Sequence, residues 1–205
     1  MALPKIRPIL MSMPMAIALR EGRKTQTRRL IKPRKGEELD PEGIYTYHPG
    51  DHELARCPYG KPGDLLWVKE TYGIDLDGGT FYRAGDTEND GDDLDNPWKP
   101  SIFMPRRLSC MTLEIKEVWV HRLKSISEMD AYAEGIDTEG DAYLAAEHGK
   151  LGGASGPAAS ICAYADLWDS INGAGSWDSN PWVYALKFKV HRKNVDEMTT
   201  GSPNG

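Results

Sequence analysis

The residues between positions 20 and 35, the basic segment, have the clearest chemical potential in this chain. They include eight basic side chains and one acidic one, in a protein whose formal net charge is -6. Two hydroxyl side chains, Thr25 and Thr27, lie within the basic segment just after Gly22. Arginine and lysine beside hydroxyls match phosphate and acyl oxygens, which predicts a site for a phosphate-bearing or nucleobase-like ligand. The same charges are typical of a solvated surface loop, and composition alone leaves both interpretations open.

The spacing of three side chains is compatible with one reaction. Lys24 and Thr27 are three residues apart, and Glu134 closes a short predicted helix later in the chain. A threonine hydroxyl attacks an acyl carbon when a base removes its proton, and a lysine can be that base when burial and nearby positive charge lower its pKa. A carboxylic acid such as Glu134 can then donate a proton to the departing amine. Spacing alone does not separate this reaction from a purely binding role.

The bulk composition restricts the class of protein. A chain of 205 residues, 40% hydrophobic and 27% charged, fits one globular domain with insertions. No apolar run approaches the roughly 20 residues that span a bilayer, and prolines interrupt the apolar N-terminal stretch, so we expect neither a membrane segment nor a signal peptide. Three widely spaced cysteines, Cys57, Cys110 and Cys162, indicate reduced thiols in a cytoplasm.

A second charged segment has the opposite sign. Residues 75–95 carry eight acids and a single base, Arg83. Together with the basic segment they would create a dipolar field that guides a polyanion to one face. The alternative is an acidic surface loop without a role, and the composition of residues 84–97 predicts a disordered or mobile loop.

The sequence supports no metal or cofactor site. His48, His52 and Cys57 lie close together, but their spacing matches no zinc finger or ribbon. Neither a phosphate-cradling glycine loop followed by lysine nor a dinucleotide-binding glycine pattern occurs. We therefore expect no cofactor and no bound metal.

The elements that must position these residues are predicted from hydrophobic periodicity. Strands are expected near residues 8–12, 25–31, 65–69, 81–83, 111–122 and 182–190, and helices near 14–21, 127–134 and 158–171. The alternation over 111–122 is the strongest strand signal, and alternation over 25–31 places Thr25, Thr27 and Arg29 on one face. Regular βαβ alternation is missing, so the pattern predicts an α+β fold, a small mixed barrel or strongly curved sheet with two or three helices. Trp177 and Trp182 flank a predicted turn, where they either stack on a base or pack the loop.

Several separate motifs occur in an order that resembles the ASCH domain, a compact β-barrel of the PUA-like superfamily. They are Gly22-Arg-Lys-Thr-Gln-Thr-Arg-Arg29, Pro62-Gly-Asp-Leu65 and Ser127-Glu-Met-Asp-Ala-Tyr-Ala-Glu-Gly135. Further runs are similar to longer members from phages and prophages, namely Cys57-Pro-Tyr-Gly60, Leu66-Trp-Val-Lys-Glu-Thr71, Ser101-Ile-Phe-Met-Pro-Arg106, Leu167-Trp-Asp-Ser-Ile-Asn172 and Asn180-Pro-Trp-Val183. The resemblance implies a PUA-like small mixed β-barrel with two or three flanking helices. It also implies one domain over residues 1–192, with insertions near 32–60, 73–100 and 137–157. The composition of residues 193–205 predicts a disordered tail.

The resemblance also implies a chemistry. Small bacterial ASCH proteins include amidohydrolases that remove the acyl group of N4-acetylcytidine with a lysine, a threonine and a glutamate. Carried over position by position, these residues are Lys24, Thr27 and Glu134. The residues expected to contact the substrate are Arg23, Thr25, Arg28, Arg29 and Arg106, which lie in the same motifs.

Two main functions therefore stand side by side. One is a Lys-Thr-Glu amidohydrolase that deacylates N4-acetylcytidine-like nucleosides. The other is a non-catalytic RNA or modified-nucleobase binding module of phage origin. A virion-associated interaction protein is a third, for which the acidic residues 75–95 would suit a protein partner that the sequence does not identify. For the two main functions we expect a nucleoside or RNA ligand, no membrane, and the cytoplasm of a bacterial host if the gene is phage-encoded.

Overall fold

A computed structural model describes residues 3–32, 38–39, 45–46, 52–53, 57–75, 77–85, 98–137 and 157–200. The strands are β1 (Ile6–Leu10), β2 (Gln26–Leu30), β3 (Glu38–Leu39), β4 (Tyr45–Thr46), β5 (His52–Glu53), β6 (Leu65–Lys69), β7 (Tyr72–Ile74), β8 (Thr80–Tyr82), β9 (Thr112–Arg122) and β10 (Trp182–His191). The helices are α1 (Met13–Glu21), α2 (Glu128–Ala133), α3 (Pro157–Asn172) and α4 (Val195–Thr200). No described helix combines the length and the apolar character that crossing a bilayer requires.

The main sheet has five strands in the order β1-β6-β9-β10-β2. The four strands predicted near residues 25–31, 65–69, 111–122 and 182–190 all belong to it, which confirms a mixed α+β fold. Strand β1 pairs parallel to β6, whereas β6 with β9 and β10 with β2 pair antiparallel. The order runs from β1 at one edge to β2 at the other, so no closed barrel is found among the described residues.

Two compact units divide the chain, each assembled from separated segments. The first comprises residues 1–22, 59–116 and 188–205. Its turn at Lys61-Pro-Gly-Asp64 is held by the buried Asp64 carboxylate, which accepts hydrogen bonds from the backbone N–H groups of Lys5 (2.9 Å) and Lys61 (3.1 Å). This turn starts β6, in which Leu65, Leu66 and Val68 are buried and the other two residues are partly buried.

The second unit comprises residues 23–58 and 117–187. Its core contains side chains from α2, α3 and the start of β10, including Ala131, Trp168 and Val183. Trp177 is 7% exposed and belongs to this core, which supports the packing interpretation of that residue. The Asp169 carboxylate accepts the Trp177 backbone N–H at 2.7 Å and holds the turn before β10.

The end of the chain differs from the prediction. A disordered tail was expected from residue 193, but α4 occupies Val195–Thr200 and its Val195 is fully buried. The Asn194 amide donates to three backbone carbonyls between residues 106 and 109, which a composition-based prediction cannot anticipate. Residues 201–205, most of the acidic residues 84–97 and much of the predicted insertions lie outside the described residues.

Candidate functional site

The site is built where the start of β2 meets the end of α2. Helix α2 begins with a capping box, in which the Ser127 hydroxyl accepts the Asp130 N–H and the Asp130 carboxylate accepts the Ser127 N–H, each at 3.2 Å. It ends at Ala133 with Glu134 as its C-cap, and the chain turns away at Gly135, which has a left-handed φ of 96°. The Thr25 N–H donates to the Ala133 carbonyl at 2.8 Å and joins the two elements.

Lys24 and Glu134 form a buried ion pair at this junction. The Lys24 Nζ donates to Glu134 Oε2 at 2.9 Å and to the Glu134 main-chain carbonyl at 2.7 Å. Lys24 is 1% exposed and Glu134 is 3% exposed. The pair therefore exists in a weakly solvated environment, where charge interactions are stronger than in water.

Arg28 supplies the second cation of this cluster. Its fully buried guanidinium donates from Nη1 to Glu134 Oε1 at 3.0 Å, and its Nη2 lies 3.0 Å from Asp130 Oδ2. Its Nε donates to His121 Nε2 at 3.2 Å. We call the buried residues Lys24, Arg28 and Glu134, together with the partly buried His121 and Asp130, the buried cluster.

The surroundings change the proton affinities of the buried cluster. Burial lowers the pKa of Lys24, Glu134 opposes this, and the positive charges of Arg29 and Arg28 lower it further. Burial and the charge of Arg28 also lower the pKa of His121. Burial alone would raise the pKa of Asp130, but the Ser127 backbone N–H and Arg28 outweigh it and lower that pKa. The cluster thus favours an uncharged imidazole and makes the lysine easier to deprotonate.

The predicted catalytic threonine lies elsewhere on the strand. Thr27 is 4% exposed and stands in register with Leu186 of β10, whereas Arg28 stands in register with Ala185. Successive side chains of a strand point to opposite faces, so Thr27 points away from the face on which Arg28 meets Glu134. Among the described contacts none joins the Thr27 hydroxyl to Lys24 or Glu134.

The predicted substrate-binding residues divide into three groups. Arg28 is part of the buried cluster, and Arg29 is near enough to influence the pKa of Lys24. Arg23 and Thr25 are exposed, and Arg23 Nη1 donates to the Gly135 carbonyl at 2.6 Å. Arg106 belongs to the first unit, where its guanidinium forms an ion pair with Asp196.

Three residues of the site were missed by the sequence analysis. Asp130 and His121 are the remaining partners of the Arg28 guanidinium. The third residue is Tyr164 of α3, whose phenol pKa is raised chiefly by burial and also by the nearby charge of Glu134. No local signal in the sequence tied either His121 or Tyr164 to the basic segment.

The buried cluster can hold and move a proton. A desolvated lysine in contact with a carboxylate accepts a proton from a nucleophile, and the carboxylate stabilises the ammonium that forms. Within the described residues no group of three His, Cys, Asp or Glu side chains is arranged to hold a metal ion. His48 and the side chain of His52 lie outside those residues. No protein-family model, curated protein or solved structure matches the chain, so the resemblance to the ASCH family stays a prediction.

Proposed function

We propose that this protein is an amidohydrolase that removes the acyl group from N4-acylated cytidine-like nucleosides. The observation that carries the proposal is the buried Lys24 amine, of lowered pKa, held 2.9 Å from the Glu134 carboxylate. Lysines are rarely this buried unless paired, and a perturbed lysine is a common mark of general-base chemistry. The resemblance to ASCH amidohydrolases supplies the substrate class.

In the proposed reaction, neutral Lys24 removes a proton from the nucleophile as its oxygen attacks the acyl carbon. The carbon–nitrogen bond then breaks, and the departing amine takes a proton from the Lys24–Glu134 pair. With water as the nucleophile, the products are a carboxylic acid and cytidine. With Thr27 as the nucleophile, an acyl-threonine ester forms first and water cleaves it. The placement of Thr27 on the opposite face of β2 favours water.

A second function is favoured by a different observation. Both buried cations already have carboxylate partners, and Arg23 and Thr25 are the exposed polar side chains beside them. In a non-catalytic RNA or modified-nucleobase binding module, the buried cluster would hold β2 and α2 together while the exposed residues contact phosphates.

The test is incubation of the protein with N4-acetylcytidine and chromatography for cytidine, together with filter binding to short single-stranded RNA. We expect Lys24→Met to abolish turnover, because it keeps the length of the side chain and removes the base. The matched control is Lys116→Met, at an exposed lysine of β9, which should leave turnover unchanged.

Thr27→Val, which replaces the hydroxyl with a methyl group of similar size, decides between the nucleophiles. Loss of turnover identifies Thr27, and retained turnover identifies water. If the wild-type protein releases no cytidine yet binds RNA, and if Arg23→Ala weakens that binding and flattens its salt dependence, the binding function replaces the enzymatic one.

A further inference from the structure

Arg28 is the centre of the buried cluster, and its orientation depends on three partners. Two are the carboxylates of Asp130 and Glu134, both contributed by α2 and its C-terminal end. The third is the imidazole of His121 on β9, whose Nε2 lies 3.2 Å from Arg28 Nε. The three contacts engage the three different nitrogen atoms of the guanidinium and together determine which way it faces.

The contact with His121 requires one protonation state. Arginine keeps its protons at any physiological pH and can only donate, so His121 Nε2 must be the acceptor. An imidazole whose Nε2 accepts is neutral and carries its proton on Nδ1. Protonation of Nε2 would direct an N–H group at the Arg28 N–H and place two positive charges together. The hydrogen bond therefore breaks when His121 becomes charged.

The groups around His121 support the neutral form. Arg28 of β2 faces it with a positive charge, and Asp130 and Glu134 of α2 act on it with negative charges. On the same strand as His121, the centroid of the Trp119 ring lies 6.2 Å from the centroid of the imidazole. The two carboxylates are already in contact with Arg28, so they favour the imidazolium less than burial and the guanidinium oppose it. The result is a lowered pKa.

We infer that His121 is a positioning residue: in its neutral form it orients Arg28, and through Arg28 it holds the Glu134 carboxylate against Lys24. The orientation of Arg28 follows from the contacts alone, whereas the effect on turnover rests on the proposed function. Charging of the imidazole at acidic pH releases Arg28 from β9 and removes the constraint on Glu134.

Nuclear magnetic resonance tests the contact without any assay of turnover. In the full-length protein labelled with 15N, long-range spectra of the histidine rings should show His121 with its proton on Nδ1 at pH 7.5. The Arg28 Nε–H signal should shift as His121 titrates, with a midpoint below 6.5, the ordinary histidine value. In His121→Gln, whose amide oxygen can still accept the hydrogen bond but does not titrate, the Arg28 signal should be independent of pH between 5 and 8.

Kinetics with N4-acetylcytidine tests the consequence. We expect the wild-type kcat/KM to fall on the acid side with the midpoint found for His121, and His121→Gln to lose that acid limb while keeping the rate at pH 7.5 within about threefold. His121→Leu should lower kcat/KM about tenfold or more at pH 7.5, where the wild-type His121 is neutral, because it removes a hydrogen bond to a charged group. The matched control is His191→Gln, at a histidine that pairs with Glu114 in the first unit, and it should keep the acid limb.

The outcomes separate the two levels of inference. A His121 with its proton on Nε2 at pH 7.5, or an Arg28 signal that ignores the titration of His121, overturns the inference whatever the activity. An acid limb that persists unchanged in His121→Gln overturns its catalytic part. If no variant and no wild-type protein releases cytidine, the proposed function fails, and the resonance experiment alone decides whether His121 positions Arg28.

Discussion

Removal of the Glu134 carboxylate should destabilise this protein more than the loss of a surface ion pair would. Glu134→Ala takes away the acceptor of two buried cations. Arg28 retains Asp130, but Lys24 keeps only the main-chain carbonyl of residue 134. Breaking a buried ion pair by removing one partner typically costs about 3–5 kcal/mol. Lys24 can limit the penalty by losing its proton, which for a lysine of ordinary pKa 10.5 at pH 7 costs about 5 kcal/mol.

The sign of the pH dependence follows from the same pair. The folded-state pKa of Lys24 lies below its unfolded value, so the unfolded chain binds this proton more tightly. The penalty on folding is therefore fully present below the lowered pKa and disappears as the pH rises to 10.5. In Glu134→Ala the pKa of Lys24 in the folded state falls further, because the opposing charge is gone, so the penalty changes over a wider pH range. The loss of stability should accordingly shrink between pH 7 and pH 10.

Urea unfolding followed by tryptophan fluorescence measures these changes, with Lys24→Met, Glu134→Ala and the double variant forming a cycle. We expect the double variant to be more stable than Glu134→Ala alone, since it no longer buries an unpaired lysine, and the coupling to reach about 2 kcal/mol. The control is Glu117→Ala, at a 61% exposed carboxylate 3.5 Å from Lys187, where the change should stay below about 1 kcal/mol. A Glu134→Ala protein as stable as Glu117→Ala would refute the reasoning.

Three further predictions concern single residues. The pKa of Cys110 is raised to about 11 by burial and by Glu70, so in a variant with Cys57 and Cys162 replaced by serine, iodoacetamide at pH 8 should react about 100-fold more slowly than with a free thiol of ordinary pKa 9.0. Gly22 ends α1 with φ 80° and open space around it, so Gly22→Ala should cost about 1 kcal/mol in thermal unfolding, and Gly22→Asn less. Ser127→Ala removes the cap of α2 and should also cost about 1 kcal/mol, whereas Ser127→Asp should restore most of it.

Local signals were enough to predict most of the secondary structure. The alternation that predicted a strand over 111–122 corresponds to β9, and Leu65–Lys69 matches β6 residue for residue. Gly22 and Ser127 mark helix boundaries because a left-handed residue and a capping box act over one turn of chain. The open edges of the described sheet and the helix at 195–200 escaped prediction, since both depend on contacts between distant segments.

The identities of Lys24, Arg28 and Glu134 were visible in the sequence, but their environment was not. A basic turn is typical of a solvated loop, and only the packing of α2 on β2 buried Lys24 against Glu134, 110 residues away. The strand period of two was readable from sequence, yet the tertiary structure decided that the face carrying Arg28, and not the face carrying Thr27, meets the carboxylates. His121 likewise meets Arg28 only because the folded chain brings two distant segments together. Residue type and period are local properties, whereas burial and partner choice arise from segments that meet only in the folded chain.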